Sequence, residues 1–209
     1  MRAVHSMRVL IVARTHMQKH ACIGAMSLDP DRSLRLMQAN GAPQPGDTPY
    51  EVGDIWQIEC SVPAEIRPPH VEDVNVLRAH KVGEEVQVRR FLLERISPWR
   101  GPLSHTFEEL VRFTYHGHGY INDIMGVPGR STGFWLADKP LQKVVDKKVY
   151  YRYPRDRGAC LLPYVGYAPA ADLIPANTLV RLSLARWWKP EDATDVEARC
   201  YLQLSGWYL

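Results

Sequence analysis

Closely spaced cysteines are missing from this 209-residue sequence: Cys22, Cys60, Cys160 and Cys200 are dozens of positions apart. Such spacing offers neither the paired ligands of a structural zinc site nor the density of a small secreted disulfide scaffold. Each is expected to behave as a small buried hydrophobe. Also absent are a GxGxxG fingerprint and a Gly-rich loop ending in Gly-Lys-Ser or Gly-Lys-Thr, so dinucleotide and nucleoside-triphosphate binding have no positive signal and no cofactor is implied. GVPGRSTG, around Gly126 to Gly133, carries turn glycines and reads as a surface connector. No uninterrupted apolar run is long enough to span a membrane, and the opening MRAVHSMRVLIVARTHM is broken by Arg and His as a secretory leader is not. A cytoplasmic protein without a membrane partner is expected. An excess of one charge is scarce too, with 26 Lys plus Arg against 23 Asp plus Glu and a formal charge of +3. An anionic partner would therefore have to be met by a local patch.

The chain does have hydrophobic residues, 45% of the total, which is enough to fill a substantial interior. MRVLIVAR (7 to 14), CIGAMSL (22 to 28) and SLRLMQ after the DPDR turn predict three strands, with Leu34 and Leu36 on one face and Arg35 exposed on the other. IWQIECSV (55 to 62) alternates so that Trp56, Ile58, Cys60 and Val62 read as core, and VEDVNVLRAH (71 to 80) supplies a fifth strand. Five short strands suffice for a small barrel. EEVQVRRFLLERI reads as a helix with a strand still open, and Thr106 followed by Glu109 in SHTFEELVRF forms a capping-box pattern for a short helix. FTYHGHGYINDIMGVPGRSTG resembles a connector. Strand signals return from Gly133 to the end. The expected class is mainly β, with two barrel-like units at 1–82 and 132–209 and a partly helical insertion or connector at 83–131.

MRVLIVAR with CIGAMSLDPDRSLRLM, VGDIWQIEC, RPPHVEDVNVL, GFWLADKPL, LVRLSLARWW and ARCYLQLSGWYL together resemble the dual OB-containing domain family. That resemblance covers most of the chain and implies two OB-like β-barrels. It also implies an association with prokaryotic defence or conflict loci, and nucleic-acid binding. The family's Trp-Ile-Arg-Pro run keeps only its arginine here, as Arg35.

Alternation along the terminal hairpin places Val180, Leu182, Leu184 and Trp188 inward and Arg181, Ser183 and Trp187 outward, with a bulge at Arg186 as the alternative that would exchange the two tryptophans. On the returning strand Cys200, Leu202 and Leu204 face in, and Arg199, Tyr201, Gln203 and Ser205 face out. Arg181, Trp187, Arg199 and Tyr201 would then form an outer surface on which arginines neutralise phosphates and aromatic faces stack on bases, at about 1 to 3 kcal/mol per base. KKVYYRYPRDR adds Lys147, Lys148, Tyr151 and Arg152, and Arg35 is a further basic candidate in the first unit. Packing against a domain or partner explains the same aromatics. His16, His20 and Cys22 are the weak metal candidates, with His116 and His118 as a second pair; neither has a recognised ligand spacing. His70 beside Glu72 and Asp73 reads equally as a hydrogen-bonded turn or as acid-base chemistry. The functional expectation is a nucleic-acid-binding module for single-stranded DNA or RNA. Its alternatives are a non-enzymatic adaptor for a protein partner from a defence system, and an enzyme without a recognisable motif.

Overall fold

The structure, a computed structural model, describes residues 3–190 and 197–209. The chain divides into two compact units, Met1–Arg67 with Val71–Ser97, and Pro68–His70 with Pro98–Leu209. Of the stretch 83–131, the helical part falls in the first unit and everything from Pro98 onward in the second.

The first unit contains β1 (Val4–Met17), β2 (His20–Leu28), β3 (Asp31–Met37), the two-residue β4 (Gln44–Pro45), β5 (Asp54–Ser61), β6 (Asp73–Glu84) and α1 (Val88–Arg95). Antiparallel pairing joins β1 to β2, β2 to β3, β6 to β5 and β5 back to β1, while β3 and β6 run parallel, so the sheet closes into a barrel. Closure removes the exposed strand edges that an open sheet would carry. The expected alternation holds where it matters: Leu34, Leu36, Trp56, Ile58 and Cys60 are buried, and Tyr50 packs on Trp56 with ring centroids 4.6 Å apart. Val62 lies beyond the end of β5 and is exposed, contrary to its expected core position. In α1 only Leu92 is buried.

The second unit contains β7 (Arg112–Phe113), β8 (Gly119–Asn122), β9 (Thr132–Leu136), β10 (Leu141–Asp146), β11 (Lys148–Pro154), β12 (Ala159–Pro163), β13 (Leu173–Ile174), β14 (Leu179–Leu184) and β15 (Arg199–Tyr208). They form two sheets, β12-β11-β10-β13 and β7-β8-β15-β14-β9. Both sheets contribute to one core: Tyr151, Tyr153, Cys160 and Leu162 from the first meet Ile121, Trp135, Val180, Leu182, Cys200, Leu202 and Leu204 from the second. A parallel bridge between Tyr164 and Leu204 links the strand system of β12 to that of β15. The segment read as a connector thus supplies a strand, β8, which extends the β15 edge through Tyr120, Ile121 and Asn122.

The helix expected after Thr106 is replaced by other structure. Leu103–His105 forms a single 3-10 turn, the Thr106 hydroxyl donates back to the Leu103 carbonyl at 2.8 Å, and Phe107, Glu108 and Glu109 adopt left-handed backbone conformations. Burial overrides the capping pattern: Phe107 is turned wholly into the core against Trp99, with ring centroids 4.6 Å apart. The KPEDATD turn expected between β14 and β15 lies largely outside the described residues, which resume at Glu197.

Candidate nucleic-acid interface

Strand β14 ends at Leu184, and its register there pairs Leu184 with Leu202. Continued without interruption, that register would set residue 187 opposite Arg199. The observed bridge is instead between Trp188 and Arg199, one residue further along, with each backbone amide donating to the other's carbonyl at 2.9 Å. One additional residue therefore enters the chain after β14. Directly paired residues in an antiparallel ladder point to the same side. Trp188 accordingly takes the outward phase of Arg199 and Tyr201, and Trp187 turns inward.

This corrects the assignment made from alternation: Trp188 is 54% exposed, while Trp187 packs against the core and its indole NH donates to the Pro68 carbonyl at 2.7 Å. His70, in the same short segment, is buried with its Nε2 3.3 Å from the Leu184 carbonyl.

Around Trp188 the side chains form a continuous aromatic and basic surface. The Tyr201 ring lies between Trp188 and Tyr120, with centroids 6.2 Å from each. The Arg199 guanidinium rests over the Tyr120 ring, 4.3 Å from its centroid. Glu197 holds it there, accepting from Nε at 3.0 Å and Nη2 at 2.8 Å. Burial pulls the Arg199 pKa down, but the bonds to Glu197 and Tyr201 outweigh it, and the net shift is upward. The group is therefore a permanent cation.

Trp188, Arg199 and Tyr201, together with Thr114, Tyr115, His116 and His118, line an open groove of about 610 Å³. Tyr115 is 99% exposed. His118 approaches Tyr150, ring centroids 6.0 Å apart, and Lys148 lies over Tyr150 at 5.3 Å, so the surface runs on toward the β10–β11 hairpin. The 114–118 loop is set by a close approach. Gly117 has φ +81°, its carbonyl accepts from the Leu161 amide at 3.0 Å, and a Cβ there would stand 2.4 Å from the Ala159 carbonyl oxygen.

Of the residues singled out from sequence, Arg199 and Tyr201 are brought together here. Lys147 and Lys148 are exposed at the β10–β11 turn, and Arg152 is exposed at the opposite end of that hairpin, paired with Gln142. Four others are placed elsewhere. Tyr151 is fully buried in the second core, its hydroxyl donating to the Ala171 carbonyl at 2.8 Å, and burial raises its pKa to about 12; it has no free face for a base. Arg181, expected on the outer surface, is only 5% exposed within β14. Trp187 is the third, for the register reason above. Arg35 is not exposed either: it pairs with Asp73 across the parallel β3–β6 contact, and although burial lowers its pKa, the Asp73 bond outweighs that effect and keeps it charged.

The metal trio is separated by strand geometry. His16 pairs with Ala21, whereas His20 and Cys22 flank Ala21 and so point to the other side of the hairpin. Among the described residues no group of three His, Cys, Asp or Glu side chains converges to hold a metal. No helix among them is long and apolar enough to cross a membrane.

Sequence reasoning missed Tyr115 and Tyr120 as surface groups and read His116 and His118 as a weak metal pair or equally as polar loop residues. The signal was present in FTYHGHGY, where aromatics and histidines alternate around a glycine that allows a tight loop.

A strand system of this kind, closed through one parallel contact, belongs to the small β-barrel proteins. The family model of the dual OB-containing domain matches residues 7–207, and the chain is a member of that family. No curated protein matches the chain significantly. Among solved structures, the crystal structure of the p204 HINb domain aligns with a TM-score of 0.34 and 12% identity, over 97% of this chain and 98% of that one.

Proposed function

We propose that the protein is a nucleic-acid-binding module that takes flexible, single-stranded DNA or RNA on the β8–β15 surface of its second unit, and that this unit is itself a second OB-like barrel. The pairing order supports the architectural part. If β9 and β10 are one strand broken near Pro140, the order β10–β11, β11–β12, β15–β14 and β14–β9 repeats that of the first unit, with the Tyr164–Leu204 bridge in the place of the parallel β3–β6 contact. OB-type barrels bind extended strands on such a sheet face and its loops.

One observation carries the binding reading: Trp188, Tyr201 and Tyr120 are in successive ring contact with Arg199 lying over Tyr120, and the exposed Tyr115 lines the same groove. Aromatic faces accept any base, so the exposed rings of this surface suit a strand without strict sequence preference, with Arg199, paired to Glu197, ordering the Tyr120 end and the exposed Lys147 and Lys148 left to meet phosphates. The setting proposed for this activity is a cytoplasmic prokaryotic defence or conflict system, as the family resemblance implies.

The test is a titration against single-stranded and duplex DNA and RNA at two salt concentrations. Single strands are expected to bind at low micromolar protein or below, with affinity falling steeply as salt rises. No binding at low salt would exclude the reading and leave the exposed aromatics as a docking surface for a protein partner.

A further inference from the structure

A second concavity in the same unit, of about 500 Å³, is bounded by the 3-10 turn at Ser104 and His105, by Phe113, and by the β11–β12 turn with Lys139 beside it. Lys139, Arg155 and Arg157 all line it, against one acidic residue, Asp156. The turn that presents the two arginines is tight, with the Arg155 amide donating to the Gly158 carbonyl at 3.1 Å and Gly158 at φ +77°.

The rings in this pocket differ in use from those of the groove. The Arg155 guanidinium covers Phe113 at 3.7 Å from the ring centroid, and Lys139 stands over Tyr153 at 5.7 Å. Tyr153 is buried, its hydroxyl donating to the Asp138 carboxylate at 2.9 Å and accepting from the Leu103 amide at 3.3 Å. Both ring faces are therefore occupied by cations and unavailable to a base. What the pocket offers to a ligand is positive charge held in place by aromatic rests. The carboxylate nearest to Lys139, Asp156, is fully exposed and 3.9 Å away, too loosely placed to neutralise it.

We infer that this pocket receives a terminal phosphomonoester, the phosphate at the end of a nucleic-acid strand; the inference rests on the nucleic-acid reading of the neighbouring groove. A chain-internal phosphodiester carries a single charge, whereas a terminal phosphate carries nearly two and so gains more from several cations gathered at one concavity. Phe113 lines this pocket and the adjoining Thr114 and Tyr115 line the groove, so the two concavities flank one short loop. A strand stacked on Trp188 and Tyr201 would have its end received by Arg155, Arg157 and Lys139.

The experiment uses the full chain and an internally labelled dodecathymidylate ending in hydroxyls, in a 5′-phosphate or in a 3′-phosphate, read by fluorescence anisotropy. One phosphorylated form is expected to bind about tenfold more tightly than the hydroxyl form, in line with two charge-assisted hydrogen bonds to a dianion. Arg157→Ala and Arg155→Ala should erase that preference while leaving the affinity for the hydroxyl form unchanged. Asp156→Asn should enlarge it, a gain that misfolding does not produce. Equal affinity for all three ends in the wild type, or a preference that survives Arg155→Ala with Lys139→Ala, would overturn the inference. Should no oligonucleotide bind at all, the groove reading fails, and inorganic phosphate followed by NMR shifts of the Arg155 and Gly158 amides decides the pocket by itself: saturable shifts there uphold an anion site, and their absence ends it.

Discussion

Trp188 and Arg199 face each other across a single antiparallel bridge, one residue out of step with the β14–β15 register that precedes it. That offset sorts two adjacent tryptophans into different physical roles. Trp187 fills space beside the second core and satisfies its indole NH on Pro68, while Trp188 is left outside beside Tyr201.

The two tryptophans should therefore separate experimentally. Trp188→Ala is expected to weaken single-strand binding by about 1 to 3 kcal/mol while leaving the unfolding midpoint nearly unchanged. Trp187→Ala should cost about 2 to 4 kcal/mol of stability, through lost packing and a lost hydrogen bond. Parallel anisotropy and urea-denaturation series on both variants check this; the opposite division of effects would mean the bridge register is wrong.

Gly117→Ala should damage the groove without touching any of its contacting side chains. The added Cβ meets the Ala159 carbonyl at 2.4 Å in a backbone region that L-residues rarely adopt, so the 114–118 loop must move or strain by about 1 to 3 kcal/mol. Lower stability and weaker binding together are expected, with the loss of affinity independent of salt.

Glu109→Gly is expected to stabilise the protein. Glu109 is exposed at φ 62°, and its side chain is not needed for the bond that Arg112 makes to the Glu109 backbone carbonyl. Glycine occupies this conformation without the left-handed penalty, worth about 1 kcal/mol less the entropy that glycine regains in the unfolded chain. Thermal unfolding of the variant reads the sign directly.

In the first unit, Asp54 should contribute acid sensitivity. Burial pushes its pKa up from the ordinary 3.8, but the bond from Lys81, the Glu51 amide and the Trp56 indole NH outweigh this, and the folded value lies below it. The folded state then favours the ionised form. Its contribution is complete well above pH 3.8 and is lost as pH falls through the lower folded value. The stability gap between wild type and Asp54→Asn should be constant near neutrality and narrow as pH falls through that window, in denaturant melts across the acid range.

Much of the second unit's core was legible because burial and alternation agree within regular strands: Val180, Leu182, Leu184, Cys200, Leu202 and Leu204 all face inward as periodicity indicates. Legibility failed where local pattern and long-range packing disagree. Thr106 and Glu109 have the spacing of a capping box, yet burial of Phe107 against Trp99 imposes a left-handed turn on the same residues. The basic residues show the same limit. Arg35 and Arg199 look alike in sequence, but one is paired with Asp73 between parallel strands and the other lies on Tyr120 at the edge of a groove.

Because a side-chain period of two is a property of the extended chain, the sequence by itself determined the β class, the alternating strands of the first unit and the core phase of β15 as far as Leu204, beyond which a register shift buries Ser205 against expectation. Which of the adjacent tryptophans stays exposed was decided only by tertiary structure. A single extra residue between Leu184 and Trp188 exchanges the faces of the two tryptophans, and the register that reveals it is defined by pairing with Arg199 on another strand.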